Sequence, residues 1–545
     1  MRLVFVLIGL LLTINTNLVT AANNIKIDAT KQIGTVGNLY NIGYNGWGDI
    51  TNKGMVQAFN DLKIKYCRID VNLNELCGDK PGDYHWDYTT PADLKIGFVD
   101  RIRKIISNGW TPIIAFSYHG GVQQWIPRWF HGEVNDFKKD GWTRYNLDGT
   151  KVTTGYGNQL ESATQIAHDL VAHLLSCDLK GLYWETIYEM NPDMPLVEIH
   201  HAVGKGIREA DPSAKIIGPA TWPGYSVEQE FVKPYLKKYG ADLLDMVSAH
   251  WYGCNDHGFW KLMEGDDYLT MADAKQLDYL MGKTPEYKNW TRTLNSMLNN
   301  TTLNPTKKKI GIIYTEIDVN PTSYYLKNPV NKDWPKYRAD TDCFLNCNYY
   351  GGVWWASVLC NITSAGATAD ACKFNGRNYY GIQELAPNDK AYRYPVWFAF
   401  KLLRDQGQLI SGKHMLSTSA KGSGTPMLEA FATGSSSDLR VIVINKSSIP
   451  QTADLSISGL KPGKWSATSY LFDKTRVAQF RGKQPGTESD GTFEGDPDND
   501  SISTKCLLPI GSVKCKSNKG SIILNKQKYP PVSFTILVFT NPRSS

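Results

Sequence analysis

Residues 182–192, which read L-Y-W-E-T-I-Y-E-M-N-P, decide the fold of this 545-residue chain. The stretch begins as an apolar, aromatic run and ends in polar residues, which is typical of a strand buried on both faces. It carries Glu185 and Glu189 four residues apart. Residues 309–320, K-I-G-I-I-Y-T-E-I-D-V-N, show the same pattern of an apolar run followed by polar residues. Here a β-branched run leads to Glu316. A carboxylate at the C-terminal end of such a strand indicates chemistry in an α/β barrel.

Six further runs of the same kind give eight strand predictions in all, with helical patterns between most of them. The predicted strands are residues 39–49, 66–71, 111–119, 182–192, 215–221, 244–252, 309–316 and 352–358. Buried strands that alternate with helices predict a (β/α)8 (TIM) barrel over residues 38–410. An open doubly wound sheet is the competing arrangement, and the lack of a Gly-rich fingerprint after the first strand weakens it.

The pattern of residue types along the sequence changes beyond about residue 411. Short β-type runs there alternate with Gly, Ser, Asn and Asp turns. This pattern predicts an appended C-terminal antiparallel β-sandwich. A strand-like lead-in over residues 25–33 could join it, so we predict a discontinuous domain made of residues 22–37 and 411–545.

The first 21 residues have the form of a signal peptide, with Arg2, an apolar run and a small-residue end at Ala21. No later stretch reaches about 18 uninterrupted apolar residues, so we expect no membrane partner. The predicted product is secreted, or delivered to a lumenal compartment such as a lysosome. Six Asn-x-Ser/Thr tripeptides favour a glycoprotein, although about half of such tripeptides are expected by chance to be unused. They begin at Asn289, Asn299, Asn300, Asn361, Asn445 and Asn499.

Ten Cys residues, all after the predicted signal, fit an oxidising compartment. Cys506 and Cys515 are predicted to close a local disulfide loop, Cys360 and Cys372 are a second candidate pair, and the remaining connectivity stays open. Cysteine spacing does not favour a metal site, and no organic cofactor is implied.

Charge and aromatic content narrow the class of partner. The net charge of +6 is small for this length and no Lys/Arg block dominates, so we expect no nucleic acid partner. The 16 Trp and 29 Tyr residues suit stacking on sugar rings, and they also suit a β-rich core. The sequence gives no oligomeric state.

Glu189 and Glu316 are the pair that we predict to do chemistry. Hydrolysis of a glycosidic bond needs one carboxyl group that delivers a proton and one carboxylate that attacks the anomeric carbon. A strand-end glutamate can also be a plain ion-pair partner, but two on one barrel rim favour catalysis. Glu185 lies in the strand body, where a carboxylate needs Arg or backbone partners, so we predict a structural role for it.

Residues at other strand ends complete the predicted site. Tyr252 could donate to Glu316 and keep it anionic, and Arg68 could do so from below or simply pair with Asp70 or Glu185. His119 is predicted either to contact a sugar hydroxyl or to be a core histidine. The tryptophans are predicted either to stack on sugar or to pack loops and the pocket floor. The full set of predicted substrate-binding residues is Tyr188, His119, His250, Tyr252, Arg68, Trp47, Trp125, Trp129, Trp222 and Trp354.

Taken in order, these motifs resemble the retaining glycoside hydrolases of clan A. They are most similar to glycoside hydrolase family 39, which includes β-xylosidases and α-L-iduronidases, with families 30, 51 and 79 as alternative relatives. W-E-T-I-Y-E, which ends at Glu189, is similar to the start of that family's W-E-x-x-N-E-P-N motif, and Y-T-E, which ends at Glu316, looks like its nucleophile strand. The resemblance implies that Glu189 is the acid/base, Glu316 the nucleophile and Glu185 non-catalytic.

One position departs from the clan. Tyr188 stands where the clan has an Asn that binds the sugar's 2-hydroxyl, and Met190 stands where it has a Pro. The sugar subsite is therefore expected to differ from that of family 39. The predicted function is a secreted retaining glycosidase that hydrolyses O-glycosidic bonds of a poly- or oligosaccharide. A catalytically impaired carbohydrate-binding barrel and a transglycosylase are the alternatives, and the sugar, the linkage and endo or exo action stay open.

Overall fold

A computed structural model describes most of the chain. The described residues are 23–78, 82–90, 95–116, 159–189, 196–221, 226–253, 272–319, 349–376, 381–386, 388–422, 427–477 and 503–541. The predicted signal peptide lies outside the described residues, as do His119, Trp125, Trp129 and Trp222.

After an initial strand, β1 (Asn23–Thr35), eight parallel strands close into a barrel in chain order. They are β2 (Asn41–Gly43), β3 (Tyr66–Val71), β4 (Thr111–Phe116), β5 (Tyr183–Glu185), β6 (Lys215–Thr221), β7 (Met246–Tyr252), β8 (Gly311–Asp318) and β9 (Ala369–Lys373). Most of their side chains are buried, because helices cover the outside and side chains fill the inside of such a barrel. The predicted barrel is confirmed.

Helices follow most of the barrel strands. They are α1 (Trp47–Thr51), α2 (Lys53–Asp61), α3 (Leu73–Leu76), α4 (Phe98–Ser107), α5 (Gln159–Ser176), α6 (Leu196–Ala210), α7 (Lys233–Tyr239), α8 (Ala272–Lys283), α9 (Glu286–Leu298), α10 (Tyr349–Thr363) and α11 (Pro395–Asp405). A π-helical turn, Glu228–Val232, leads into α7, and a hairpin of β10 (Gln383–Ala386) and β11 (Lys390–Arg393) precedes α11. Within the described residues, no helix combines the length and the apolar character that a membrane span needs.

The strand predicted at residues 352–358 is wrong, because this segment lies within α10 and the eighth barrel strand is β9. Side chains from Val353 to Thr363 in α10 are all buried. A helix buried on every side has no polar face, so periodicity does not distinguish its apolar run from a buried strand.

The remaining strands form one nine-stranded sheet with the order β17-β16-β19-β14-β13-β12-β1-β15-β18. They are β12 (His414–Lys421), β13 (Leu428–Gly434), β14 (Asp438–Asn445), β15 (Gln451–Ser458), β16 (Gly463–Phe472), β17 (Pro509–Ser517), β18 (Ile522–Tyr529) and β19 (Ser533–Thr540). The first strand, β1, lies between β12, to which it is antiparallel, and β15, to which it is parallel. The predicted sandwich-like second unit is confirmed, with one parallel pair in it.

The predicted local disulfides are wrong, since Cys360, Cys372, Cys506 and Cys515 are all free thiols. In each pair the two residues belong to different hydrophobic clusters. Cys360 and Cys506 lie in the main core, whereas Cys372 lies among the residues that fill the barrel and Cys515 packs against the sheet's own core.

Two of the predicted glycosylation positions are closed to a glycan. The amide of Asn361 is buried and donates to the Ser357 carbonyl oxygen at 3.0 Å. The amide of Asn445 is buried as well and donates to the Tyr529 carbonyl oxygen at 3.1 Å. A sugar attached at either nitrogen would have to break these contacts.

Candidate active site

The C-terminal ends of β3, β5, β7 and β8 bring together most of the predicted site residues that lie in the described part of the chain. Parallel strands place these ends on one rim of the barrel. Arg68 comes from β3, His250 and Tyr252 from β7, and Glu316 from β8. Glu189 follows β5 by four residues rather than ending it.

The two glutamates and His250 form the centre of this site. One carboxylate oxygen from each glutamate and a ring nitrogen of His250 all lie within 4.8 Å of one another. His250 Nδ1 lies 2.7 Å from Glu189 Oε1 and 3.5 Å from Glu316 Oε2. Both carboxyl groups are buried, which strengthens their electrostatic coupling.

Glu316 receives two further hydrogen bonds. The hydroxyl of Tyr252 donates to Glu316 Oε2, and Arg68 Nη1 donates to Oε1 at 2.9 Å. Both donors favour the ionised carboxylate. They approach different oxygens, so the orientation of the Glu316 side chain is fixed.

Two hydrogen bonds hold the carboxylate of Glu185 in place, and one of them comes from the same Arg68. Arg68 Nε donates to one of its oxygens at 2.6 Å, and the hydroxyl of Thr315 donates to the other at 2.6 Å. The side chain is fully buried. A buried carboxylate with these partners is compensated and points to a structural role.

Tyr188 lies at the site beside the same arginine. The Arg68 guanidinium carbon lies 4.8 Å from the centre of the Tyr188 ring, within cation–π distance. The ring of Tyr188 lies 5.6 Å from that of His250. Asp70 Oδ1, at 2.9 Å from Arg68 Nη1, adds a third carboxylate to the arginine's surroundings.

Burial shifts the titration of the central groups. Burial raises the pKa of Glu316 to about 7, opposed by His250 and Arg68 and reinforced by Glu189. Burial alone would lower the pKa of His250, but the neighbouring carboxylates of Glu316 and Glu189 outweigh it, and the pKa is raised. The site therefore holds groups that exchange protons near neutral pH.

The backbone after β5 is shaped to present Glu189. Its pairing with β6 continues past the strand, since the Thr186 N–H donates to Ile217 O at 3.0 Å and the Glu189 N–H to Ala220 O at 3.0 Å. Glu189 has φ +41°, a conformation that is uncommon for a non-glycine residue. This turn directs the side chain toward His250.

Neither a protein-family model nor a curated protein sequence matches the chain. Solved structures match it over nearly its whole length. The family 51 (GH51) arabinofuranosidase from Xanthomonas axonopodis pv. citri has a TM-score of 0.58 and 11% identity, with 95% of this chain and 100% of that chain covered. The α-L-arabinofuranosidase from Thermotoga maritima, in its arabinose complex, has a TM-score of 0.54 and 14% identity, with 95% and 99% covered. The family 30 subfamily 8 xylanase from Clostridium acetobutylicum has a TM-score of 0.52 and 12% identity, with 95% and 100% covered. At such identities the likeness shows the fold alone, and it is a fold found in glycoside hydrolases.

Two predicted substrate-binding tryptophans are not at strand ends, so that part of the prediction is wrong. Trp354 is buried in α10, where its ring packs edge-on against Tyr287. Trp47 begins α1 and packs, partly buried, against the main core. Both lie in helical segments that the sequence pattern had assigned to strands or to the loops after them.

The structure adds a buried ion pair that the sequence analysis missed. Lys373 Nζ, at the end of β9, lies 2.7 Å from Asp318 Oδ2, at the end of β8. Both side chains are fully buried. The signal was present in the strand period, because Asp318 lies two residues after Glu316 and therefore on the same face of β8.

Glu189, His250 and Glu316 also form a set of potential metal ligands by proximity. The chemistry of the surroundings disfavours a cation, because the positively charged Arg68 already donates to Glu316 at 2.9 Å. His250 Nδ1 is likewise engaged with Glu189. The arrangement fits proton transfer and nucleophilic attack better than metal binding.

Proposed function

We propose that this chain is a retaining glycoside hydrolase that cleaves O-glycosidic bonds by double displacement. The observation that carries the proposal is that one carboxylate oxygen of Glu189 and one of Glu316 lie within 4.8 Å of each other. Retaining enzymes hold their two carboxyl groups about 5–5.5 Å apart, whereas inverting enzymes need about 6.5–9.5 Å to admit a water molecule. The short separation supports retention.

The donors around each glutamate support their roles. Arg68 and Tyr252 both donate to Glu316, so the negative charge is most stable there and Glu316 is the nucleophile. Glu189 faces this carboxylate, and two carboxyl groups so close together share one proton. We assign that proton to Glu189, which makes it the general acid.

The reaction then runs in two balanced steps. A Glu316 oxygen attacks the anomeric carbon while Glu189 gives its proton to the departing oxygen, which leaves as an alcohol and yields a glycosyl ester. Glu189, now ionised, removes a proton from water, whose oxygen attacks the same carbon and releases Glu316. His250, at 2.7 Å, orients Glu189 in both steps.

The sugar subsite is proposed to differ from that of family 39. Tyr188 replaces the clan's Asn and stacks on Arg68, so other groups must meet the sugar hydroxyls. Among the described residues, Arg68 Nη2, His250 Nε2 and Thr221 Oγ1 are buried atoms without a hydrogen-bond partner. Buried polar atoms of this kind are stabilised when a ligand supplies the missing bond. Membership in family 39 and secretion are parts of this proposal that rest on the sequence motifs.

The first test is an activity screen of the purified protein and matched variants. Aryl glycosides, xylan, xyloglucan and arabinan are the first substrates, since similar structures include arabinofuranosidases, a xylanase and a xyloglucanase. Glu316→Gln and Glu189→Gln are each expected to lower kcat by roughly three powers of ten or more. Glu209→Gln, a glutamate exposed on α6, is the control and keeps full activity. Near wild-type turnover by either catalytic variant would refute the assignment.

Azide distinguishes the two roles. In Glu316→Ala, azide attacks the anomeric carbon directly and gives a glycosyl azide of inverted configuration. In Glu189→Ala, azide attacks the glycosyl ester and gives the retained configuration. A retained glycosyl azide from Glu316→Ala and an inverted one from Glu189→Ala would show that the two glutamates have the opposite roles.

A carbohydrate-binding barrel with impaired catalysis is the second candidate, and the replacement of Asn by Tyr188 is the observation that favours it. It predicts saturable binding of an oligosaccharide without turnover in the wild type, and no azide product from Glu316→Ala. A transglycosylase would instead transfer the sugar to an added glycosyl acceptor in preference to water.

A further inference from the structure

The nine-stranded sheet ends in two edge strands that are joined to each other. β17 and β18 form its opposite edges, yet only the turn Asn518–Ser521 connects them. The backbones of Asn518 and Ser521 bond to each other in both directions at 3.0 Å. The sheet is therefore rolled until its edges meet at this turn. Residues 503–529, here called the edge hairpin, comprise the short 3-10 turn Ser503–Leu507, β17, the turn Asn518–Ser521 and β18.

The edge hairpin carries most of the exposed aliphatic surface. Six large hydrophobic side chains are exposed among the described residues, and four of them, at 49–64% exposure, belong to this hairpin. These four are Leu508, Ile510, Val513 and Ile523. A fifth, Ile449, is held near the end of β18 because the Asn445 amide bridges the carbonyl oxygens of Ile449 and Tyr529. Concentrated aliphatic exposure of this kind marks an interaction surface.

Positive charge is concentrated in the same hairpin. Residues 503–529 contain six lysines and no Asp or Glu, and every one of these lysines is exposed. They are Lys505, Lys514, Lys516, Lys519, Lys526 and Lys528. The formal charge of the whole chain is also +6, so the rest of the sequence is balanced. Asp454 approaches the hairpin and accepts from the Lys526 backbone N–H at 2.7 Å.

We propose that the edge hairpin docks this protein on the surface of an anionic lipid bilayer. Lysines beside exposed aliphatic side chains match the two forces that hold a peripheral protein on such a membrane: attraction to anionic headgroups and burial of apolar side chains at the interface. The expectation of no membrane partner rested on the absence of a membrane span, and peripheral docking needs none.

The composition of the hairpin favours lipid over an anionic polysaccharide. Proteins bind sugar chains through aromatic rings that stack on them, but Tyr529, the one aromatic residue of the hairpin, is buried. Exposed Ile, Leu and Val side chains gain nothing from a sulfated or carboxylated sugar chain. They gain by leaving water for the acyl boundary of a bilayer.

Vesicle co-sedimentation of the full chain tests the proposal without a glycoside substrate, so its result is independent of the proposed hydrolase activity. Phosphatidylcholine vesicles with about 30 mol% phosphatidylserine are compared with pure phosphatidylcholine. We expect at least about tenfold stronger partitioning to the anionic vesicles, largely reversed by about 1 M salt.

Matched variants locate the surface. Lys514→Gln/Lys516→Gln and Ile510→Ser/Val513→Ser are each expected to weaken partitioning by about tenfold. The control Ile106→Ser/Lys307→Gln/Lys309→Gln alters exposed residues of the same types on the barrel and leaves partitioning unchanged. Equal partitioning of all variants would overturn the proposal. Binding to dextran sulfate without binding to vesicles would overturn it in favour of a polysaccharide.

A measurement on the unaltered protein guards against variants that fail to fold. Hydrogen–deuterium exchange is followed with and without anionic vesicles. We expect slower exchange in peptides from β17 and β18, whose edges carry backbone groups unpaired within the sheet. Unchanged exchange there, with slowing elsewhere, would contradict docking through the edge hairpin.

Discussion

Arg68 is the residue on which the rest of the site depends. Its guanidinium donates to Glu185 and Glu316, lies beside Asp70 and stacks on Tyr188. A buried cation is stable only when it is paired, and here carboxylates surround it. Burial would lower the pKa of Arg68, and these carboxylates raise it instead. The arginine thus joins the structural glutamate to the proposed nucleophile.

Removal of the Tyr252 hydroxyl should impair catalysis without unfolding the protein. In Tyr252→Phe, Glu316 loses one of its two donors, so its pKa rises and less of the carboxylate is ionised. We expect kcat/KM to fall by about tenfold to a hundredfold, with the acidic limb of its pH profile moved to higher pH.

Tyr314→Phe is the matched control for this variant. It also deletes a buried tyrosine hydroxyl, but that hydroxyl contacts Thr291 rather than the site. Thermal unfolding and pH profiles are measured for both variants. Equal losses of activity in the two would mean that Tyr252 acts through packing alone.

The raised pKa of Glu316 also predicts how stability depends on pH. The group titrates at about 7 in the folded protein and at about 4.3 when unfolded. Between these values the folded state keeps a proton that the unfolded state has lost. The stabilisation is therefore fully present below about pH 4.3 and is lost as pH rises through about 7.

Denaturant unfolding at pH 5 and pH 8 checks this sign. Glu316→Gln cannot ionise, so its free energy of unfolding relative to the wild type should increase from pH 5 to pH 8, by at most about 3 kcal/mol. The proton lost near pH 7 is the one that the two glutamates share and that the mechanism places on Glu189, so kcat/KM should fall as pH rises above about 7. A difference that is constant with pH would exclude the raised pKa.

The sequence supplied the identities of the central residues and part of how they are joined, since the predicted bonds from Tyr252 and Arg68 to Glu316 are both present. Strand-end position pointed to Glu189, Glu316, His250 and Tyr252, all of which the structure brings together. The sequence offered Glu316, Asp70 and Glu185 as alternative partners of Arg68, but not that the arginine contacts all three at once, because that depends on distances across the barrel. The strand period placed Asp318 on the Glu316 face, but its partner Lys373 was missed because it lies on the next strand, far along the chain.

At the scale of elements, the junction of β5 and β6 positions Glu189. The Nε2–H of His200 donates to the Leu243 carbonyl oxygen at 3.1 Å, so its Nδ1 accepts from the Thr186 hydroxyl at 2.6 Å. Burial lowers the pKa of His200 to about 3, so the ring is neutral. Gly218 makes room for this pair, since a Cβ there would lie 2.4 Å from His200 Nδ1.

Gly218→Ala should therefore destabilise the protein. The added methyl group would also lie 2.7 Å from Thr186 Oγ1, and overpacking of this kind costs about 1–3 kcal/mol. Gly282→Ala on α8 is the control, because nothing lies within 4 Å of its Cβ position and alanine favours a helix by up to about 1 kcal/mol. Chemical denaturation of both variants measures the effects. A Gly218→Ala variant as stable as the wild type would show that the junction adjusts freely.

Some elements were predicted with their bounds, whereas β2 and β5 are shorter than the segments predicted for them. β3 and β6 begin and end where their patterns predicted, at Tyr66–Val71 and Lys215–Thr221. The prediction failed at α10, whose side chains are buried on all sides. Local pattern carries no information about how many sides of an apolar run are covered, because neighbouring elements decide that.

For the molecule as a whole, a buried polar network joins the barrel to the sheet. Lys446, just after β14, lies 3.2 Å from Glu429 on β13 and donates to Thr284, which follows α8, at 3.0 Å. Asn361 on α10 donates to Glu429 at 3.1 Å, and the Ser357 hydroxyl donates to it as well. Burial lowers the pKa of Lys446, opposed by Glu429.

Breaking this network from one side should be worse than removing its charges together. Lys446→Met leaves Glu429 without its cation and is expected to lower the free energy of unfolding by about 3–5 kcal/mol, as is Glu429→Met. The double variant leaves no uncompensated charge, so it should be less destabilised than the sum of the two single variants. In the double variant, the Ser357 hydroxyl and the Asn361 amide each keep another hydrogen-bond partner, so neither is left unpaired. Additive losses in a double-mutant cycle would mean that the two charges are uncoupled.

The overall architecture follows from patterns that extend along the chain, while the joining of its parts does not. Alternating strands and helices predicted the barrel, and short strands with turns predicted the second unit. The contacts between Lys446, Glu429 and the barrel helices pair residues distant in sequence, and no local pattern encodes them. The six lysines of the edge hairpin, in contrast, are visible in the sequence. The net charge of the whole chain does not show that they are concentrated there.

The central claim is that Glu316 forms a covalent bond to the sugar, and mass spectrometry of the trapped intermediate tests it most directly. The protein is incubated with a 2-fluoro derivative of the glycoside identified by the screen, because the fluorine slows hydrolysis of the glycosyl ester more than its formation when the leaving group is good. We predict one added sugar per chain, on the peptide that contains Glu316, and none in Glu316→Gln. An adduct on Glu189 or Glu185, or turnover of the parent glycoside without any adduct and with inverted product, would contradict it.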